Sequence, residues 1–271
     1  MTPKPRAVVT DLDGTIVRWN GTVTAATAAA ALALRRSGVP LVTATARTSG
    51  GLAILGPVLD HVTIAVCGNG AVGLRPGPPR ETLWRQGIPE PVARQIIEVI
   101  ARELPEAAPR AHDGTQWTIT PNYATVRGTL PTSSPVRVAP IADLIGGEVL
   151  TICVCHPELD SAQIVAILSA AGVDRSIATM SFGSSDIMDI SAAGVDKAFG
   201  VRKALACLGI DPADAVAFGD ADNDLPMFAA VGTSVAMGNA SPPVLAAATR
   251  VTASVDDDGF AKALAELGLI V

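Results

Sequence analysis

The chain alternates short apolar runs with longer Ala/Leu-rich segments, and that rhythm restricts the fold more than any other property of the sequence. Ala7–Thr10 is a short run of the kind expected of a strand buried on both faces. A helix is expected from Thr24 to Arg36, with Thr24 placed to cap its start and Gly38 just past its end. Val39–Ala44 predicts a second strand, Gly50–Leu59 a short helix and Thr63–Cys67 a third strand that runs into the turn signal Gly68-Asn69-Gly70. Strand, helix, strand, helix, strand implies a parallel sheet with helices on both faces: an α/β, doubly wound fold. The same texture returns late in the chain. Helices are expected at Lys197–Leu208, Leu225–Val231, Pro242–Ala248 and Gly259–Leu267, and strands at Ala215–Phe218, Thr233–Met237 and Val251–Thr252.

Between these stretches the pattern changes. Arg75-Pro76-Gly77-Pro78-Pro79-Arg80 is a breaker and a candidate domain crossing. Beyond it come a helix at Glu90–Glu103, paired strands at Thr115–Thr120 and Tyr123–Gly128, and an irregular Pro131–Pro140. A strand at Val149–Cys155, a helix at Leu159–Ala171 and a hairpin from Ser176–Phe182 and Asp186–Ser191 follow. Adjacent strand pairs suggest a mostly antiparallel α+β unit. The expected organisation is a core of residues 1–75 and 191–271 split by an insertion at 76–190.

The 271 residues, 49% hydrophobic, suffice for one large domain or two modest ones, and with only 3% aromatics the core must be filled by Ala, Val, Leu and Ile. The net charge of −6 and the lack of a basic patch argue against a nucleic-acid partner, while a small anionic ligand remains compatible. Cys67, Cys153, Cys155 and Cys207 lack the spacing of a redox or zinc pair and are expected to be buried, reduced thiols. No leader-like apolar stretch opens the chain and no run is long enough to span a membrane, so a cytoplasmic protein, monomer or homodimer, is expected.

In an open α/β sheet ligands bind outside the carboxyl ends of the strands. The first strand carries Asp11 and Asp13 there, the second Thr45 and Arg47, and the third Asn69. Lys197 opens a helix, and the strand beginning at Ala215 runs into Asp220, Asp222, Asn223 and Asp224. Asp-x-Asp-Gly alone could be an ordinary turn. With the other strand ends, it becomes a cluster of carboxylates that needs a compensating cation. Oxygen-only ligands without histidine suit Mg²⁺. A lysine and a hydroxyl beside them complete a set of groups suited to phosphoryl transfer.

The ordered pieces DLDGT, Thr45, Lys197 and GDADND resemble the four motifs of the haloacid dehalogenase (HAD) superfamily of phosphohydrolases. The Asn69-Gly70-Ala71 turn, GVDK, VAMGNA and DDDGF resemble its Cof-type branch, with a cap inserted between the second and third motifs. The resemblance implies a Rossmann-like core and an aspartyl-phosphate on Asp11. It implies Asp13 as acid and base, and Mg²⁺ held by Asp11, Asp220, Asp224 and the Asp13 carbonyl. Phosphate oxygens would be held by Gly14, Thr15, Thr45, Lys197 and Asn223. The inserted cap would select a small phosphorylated metabolite, such as a sugar phosphate or a phosphorylated vitamin or flavin precursor, with Arg47, Asn69, Gln116, Tyr123 and Arg127 as candidate substrate contacts.

Two positions depart from the family pattern: Ala46 replaces the usual glycine before Arg47, and Leu245 stands where a lysine is frequent, with Arg250 as a candidate substitute. Asp222 and Asp256–Asp258 read as solvated charges, and His61, His112 and His156 show no ligand spacing. A phosphomutase would use the same nucleophile and acid, although the insertion contains no lysine to hold a second phosphate. A non-catalytic binding protein leaves the complete motif set without a purpose, and a nicotinamide-dependent dehydrogenase lacks its G-x-G-x-x-G.

Overall fold

A computed structural model describes residues 4–184 and 186–270. The opening residues of the stretch read for a leader, and residue 185 between the two strands of the expected hairpin, lie outside the described residues. Contacts divide the chain into two compact units. The first comprises the residues up to Arg47, Leu52–Trp84 and those from Lys197 onward; the second comprises Thr48–Gly51 and Arg85–Asp196. No helix among the described residues is long and apolar enough to cross a membrane.

The first unit begins with β1 (Ala7–Thr10), α1 (Ala25–Ser37), β2 (Leu41–Ala44), 3₁₀ turns over Ser49–His61, β3 (Val62–Cys67), β4 (Val72–Arg75) and β5 (Glu81–Arg85). Helix α1 forms as its caps dictate: the Thr24 side chain accepts from the Thr27 N–H, and Gly38 takes the left-handed conformation, φ 74°, that a side chain would resist. The expected helix at Gly50–Leu59 is 3₁₀ and broken, because Gly56 is non-helical and Pro57 follows it.

The second unit contains α2 (Glu90–Glu103), β6 (Ala108–His112), β7 (Trp117–Ile119), α3 (Tyr123–Arg127), β8 (Val136–Val138), β9 (Thr151–Cys155), α4 (Ser161–Ala170), β10 (Ala178–Ser184) and β11 (Ile187–Ala192). Its sheet runs β10-β11-β9-β6-β7-β8, antiparallel except for the parallel pair β7–β8. Two readings of this region need correction. Tyr123–Gly128 is not a strand paired with Thr115–Thr120: it is the helix α3, closed by Gly128 at φ 75°. Pro131–Pro140 is not wholly irregular, since β8 lies within it.

The chain then returns to the first unit with α5 (Lys197–Cys207), β12 (Ala215–Gly219), α6 (Leu225–Ala230), β13 (Thr233–Ala236), α7 (Pro242–Ala247), β14 (Arg250–Val251) and α8 (Gly259–Glu266). The sheet order is β14-β13-β12-β1-β2-β3-β4-β5. The pairings from β14 to β3 are parallel, and β4 turns back antiparallel on β3. Sequence analysis places the insertion at 76–190; in the structure β5 joins the first unit's sheet and the second unit resumes at Arg85.

Successive strand residues feed opposite faces, which explains why these strands are apolar throughout. Val8, Val216 and Phe218 pack with α1 and α8, whereas Val9, Ala217 and Val42 pack with α5 and α6. Phe218 meets Phe260 edge-on at 5.0 Å. The chain leaves β1 toward β2, and β12 lies on β1's other side, so the order reverses between β1 and β12. That reversal opens a crevice at their carboxyl ends. Of the four cysteines, all free, three are buried as expected, with burial pushing the Cys67 and Cys153 thiols up to about 12; Cys207 is exposed, contrary to expectation.

Helix α5 approaches the β3 end so closely that a Cβ on Gly200 would lie 2.3 Å from Val66 Cγ1 and 2.8 Å from Gly70 Cα. Gly200→Ala, which in an exposed helix would stabilise, is therefore expected to destabilise by about 1–3 kcal/mol. Urea-denaturation midpoints compared at constant slope check this.

Candidate active site

The carboxyl end of β1 delivers Asp11 into the crevice, its N–H bonded to the Phe218 carbonyl of β12 at 2.9 Å. The strand has already ended, and Leu12–Val17 forms a tight turn in which Gly14 takes φ +79°. A Cβ at Gly14 would sit 2.2 Å from Asp220 Oδ2, so only glycine lets this turn press against the β12 end. Thr15 Oγ1 donates to Asp220 Oδ1 at 2.7 Å.

Asp11, Asp220 and Asp224 bring carboxylate oxygens within 4.8 Å of one another, and all three side chains are buried. Lys197, 1% exposed, bridges two of them: its Nζ donates to Asp11 Oδ1 and to Asp224 Oδ1, each at 2.6 Å. The other oxygen of Asp224 accepts from the Asp220 and Ala221 N–H groups at 3.0 and 3.1 Å.

The electrostatics follow from that count of charges. Burial, opposed by Lys197 and reinforced by Asp224, Asp220 and Asp13, holds the Asp11 carboxyl well above the usual carboxylate range. Burial likewise pushes Asp220 up to about 7, against the Thr15 hydrogen bond and with help from Asp224. Burial works against the Lys197 charge, but the two carboxylates beside it outweigh that and hold its pKa above the ordinary lysine value. Three carboxyls crowd one ammonium and two of them are held above the usual carboxylate range, so their full ionisation calls for a further cation, and the donors are all oxygen. This set fits a hard divalent cation such as Mg²⁺.

The remaining expected residues fall into two groups. Thr45 is buried beside the cluster's strand ends, its Oγ1 accepting from the Arg47 N–H at 3.0 Å. Asn69, at φ 50°, accepts from Asn223 Nδ2 at 3.4 Å, while Asn223 Oδ1 is buried with no hydrogen-bond partner. Arg47 grips Asp13 with both ends of its fork, Nε to Oδ2 and Nη2 to Oδ1, each at 2.7 Å. That pairing holds the guanidinium pKa up, and neither side chain is fully buried. Asp222, expected to be solvated, accepts from Ser241 Oγ at 2.6 Å.

In the second unit the three candidates do not share a hairpin. Gln116 closes a turn on Asp113, Tyr123 is buried at the start of α3, and Arg127 pairs with Asp186 at 2.5 Å. Leu245 packs partly buried into the apolar cluster beneath α6 and α7, and Arg250 lies on the edge strand β14. Sequence reasoning gave no role to Asn239, whose side chain donates to the Gly14 carbonyl at 2.9 Å. It lies within VAMGNA, and only the fold brings that segment to Gly14.

Lys197→Met would leave Asp11 and Asp224 buried with no cation and is expected to cost about 3–5 kcal/mol in the metal-free chain; denaturant titration measures it. The raised Asp220 carboxyl gives a pH dependence of defined sign. Between the ordinary 3.8 and about 7, the folded metal-free chain keeps a proton that the unfolded chain has released. Its contribution to stability is complete below the first value and is lost as pH rises through the second. Mg²⁺ must displace that proton, so calorimetric titrations are expected to show tighter binding as pH rises toward 7.

Known proteins resemble this chain in sequence and fold. The profile of the haloacid dehalogenase-like hydrolases matches residues 8–264. The 5-amino-6-(5-phospho-D-ribitylamino)uracil phosphatase YitU of Bacillus subtilis is 25% identical over 275 aligned residues, 98% of each chain. YkrA of the same organism is 49% identical over 82 residues, so this chain spans about a third, 32%, of that relative and 30% of its own length is matched. Among solved structures, BT1666 from Bacteroides thetaiotaomicron superposes with a TM-score of 0.83 at 25% identity, covering 100% of this chain and 99% of that one. The subclass IIB sugar phosphatase BT4131 also gives 0.83, at 21% identity over 98% of this chain and all of that one, a likeness of fold. With its motifs assembled at one sheet edge and the profile matched over nearly its whole length, the chain belongs to the haloacid dehalogenase-like hydrolases, in their Cof-type branch.

Proposed function

We propose that this hydrolase cleaves phosphomonoesters of small metabolites through an aspartyl-phosphate on Asp11. The observation that carries the proposal is the buried trio Asp11, Asp220 and Asp224 bridged by Lys197 at the β1–β12 crevice. Asp11 attacks phosphorus, the bond to the ester oxygen breaks, and that oxygen takes a proton from Asp13. Asp13, now a base, takes a proton from water, whose oxygen attacks phosphorus and releases phosphate and Asp11. Lys197 and Thr45, with the Gly14 and Thr15 backbone and Asn223, hold the phosphoryl oxygens. Asp11, Asp220 and Asp224, with the Asp13 carbonyl, would hold Mg²⁺, which would supply positive charge against the phosphoryl group's negative charge.

Arg47, bonded to both carboxylate oxygens of Asp13 at 2.7 Å, is well placed to aim that side chain. The second unit acts as the cap that selects the substrate, and the activities of YitU and BT4131 favour a sugar phosphate or a phosphorylated vitamin or flavin precursor. The four free cysteines support a reducing compartment and so the cytoplasm, where the chain acts as monomer or homodimer.

Phosphate release measured with Mg²⁺ across sugar phosphates, flavin phosphates, nucleotides and bisphosphates tests the proposal. Asp11→Asn is expected to abolish release while the fold survives; activity near wild type would rule out Asp11 as nucleophile. Asp13→Asn is expected to lower turnover by about 10²–10⁴-fold on alkyl phosphates and less on aryl phosphates, whose leaving oxygen needs no proton. Equal losses on both would count against the acid role. Sugar-phosphate isomerisation on adding a bisphosphate, without release, would identify a mutase instead.

A further inference from the structure

Asn239 follows β13 and carries none of the roles above, yet its side-chain amide is used at both ends. Nδ2 donates to the Gly14 carbonyl at 2.9 Å, and Oδ1 accepts from the Val255 N–H at 2.8 Å. One neighbour demands a donor and the other an acceptor, so the amide has one orientation and no slack. Gly14 in turn lies hard against Asp220, where a Cβ would meet Oδ2 at 2.2 Å. Its neighbour Thr15 bonds Asp220 Oδ1 at 2.7 Å. The Gly14–Thr15 turn is thus tied to Asp220 on the metal-binding side and to Asn239 through its carbonyl.

Beyond Asn239 lies the loop that precedes α8. Gly238 N–H bonds the Ala253 carbonyl at 3.0 Å, Gly259 N–H closes on the Ser254 carbonyl at 3.0 Å, and Arg18 Nη2 donates to the Asp256 carbonyl at 2.7 Å. The amide therefore joins a closed loop to the turn that follows the nucleophile.

We infer that Asn239 is a positioning residue for the cation site: by fixing the Gly14 carbonyl it holds Gly14 and Thr15 against Asp220 and sets the direction of that carboxylate. The inference rests on the proposed function in taking Asp11, Asp220 and Asp224 as cation ligands. Groups that orient a ligand from behind commonly matter about 10–100-fold in metal affinity or activity. A purely structural amide would instead affect unfolding and leave the cation's affinity alone.

The test is Mg²⁺ titration by calorimetry, with no substrate present, of the wild-type chain, Asn239→Ala and Arg18→Gln. Asn239→Ala is expected to raise the Mg²⁺ dissociation constant about tenfold. The Mg²⁺ concentration giving half-maximal phosphate release rises by the same factor, and KM at saturating Mg²⁺ is unchanged. Arg18→Gln loosens the loop before α8 without touching Gly14, and its Mg²⁺ affinity stays at the wild-type value. Thermal unfolding without Mg²⁺ establishes that each variant is folded.

Unchanged Mg²⁺ affinity in Asn239→Ala overturns the inference, as does an Arg18→Gln loss of equal size, which would assign the effect to the loop. Should the alanine variant not fold, Asn239→Ser, which also lacks the bridging amide, is read by the same criteria. A wild-type chain that binds Mg²⁺ but releases no phosphate would overturn the proposed function and leave the positioning role standing. One that binds no Mg²⁺ would overturn both.

Discussion

A single buried ammonium makes the rest of the site affordable. Lys197 is withdrawn from water almost completely, and its two 2.6 Å bonds let Asp11 and Asp224 be withdrawn with it. Without such a partner a buried carboxylate costs several kcal/mol, on the order of what a whole domain gains by folding. Much of the local architecture serves that one placement. Lys197 opens α5, and α5 reaches the β3 end only because Gly200 has no side chain to hold it away from Val66 and Gly70. Asp224 is fixed from its other oxygen by two backbone N–H groups, so the ammonium meets an acceptor that cannot turn aside.

The same balance explains why the site is incomplete as a set of charges. Lys197 bonds Asp11 and Asp224, yet burial still holds Asp11 above the usual carboxylate range, and Asp220 accepts a hydrogen bond from the Thr15 hydroxyl. A polar hydrogen bond does not offset a buried charge, so the carboxyl retains its proton to an unusually high pH. The raised carboxyls and the all-oxygen donor set suit a divalent cation. Arg47 and Asp13 form a second pair beside the cluster, each side chain about a third exposed, and the Asp13 charge still adds to the repulsion on Asp11 and Asp220.

What the sequence made legible, and what it did not, divides along physical lines. The strands of the core were readable because a strand buried on both faces must be apolar at every position, and few other structures impose that. The site residues were readable because short motifs fix their own local geometry: Asp11, Asp13 and Gly14 belong to one turn, and Asp220 to Asp224 to another. Tyr123–Gly128 was misread because Tyr, Thr and Val favour strands locally, whereas burial of Tyr123 against Cys153 and Trp117 decides for a helical turn. Strand β6 was missed because Ala-Pro-Arg-Ala-His carries a proline and two polar residues. Arg110 is accommodated there by stacking 4.0 Å from the Trp117 ring and 5.2 Å from that of Tyr123, a contact between elements that periodicity cannot register. Asn239 escaped for a similar reason: its partners lie 225 and 16 residues away, and only strand order brings all three together.

The pairing of β1 with β12 also governs when the site can exist. Residues 7–10 lie beside residues 215–218, and the bonds that define the site span 186 residues from Asp11 to Lys197 and 205 from Thr15 to Asp220. Contacts so distant in sequence form late, because the entropy of closing the loop is lost before any contact compensates it. On the ribosome, β1 must wait unpaired on that side while the whole second unit is made. That unit has its own sheet, so its strand pairing does not depend on β12 and need not wait for it.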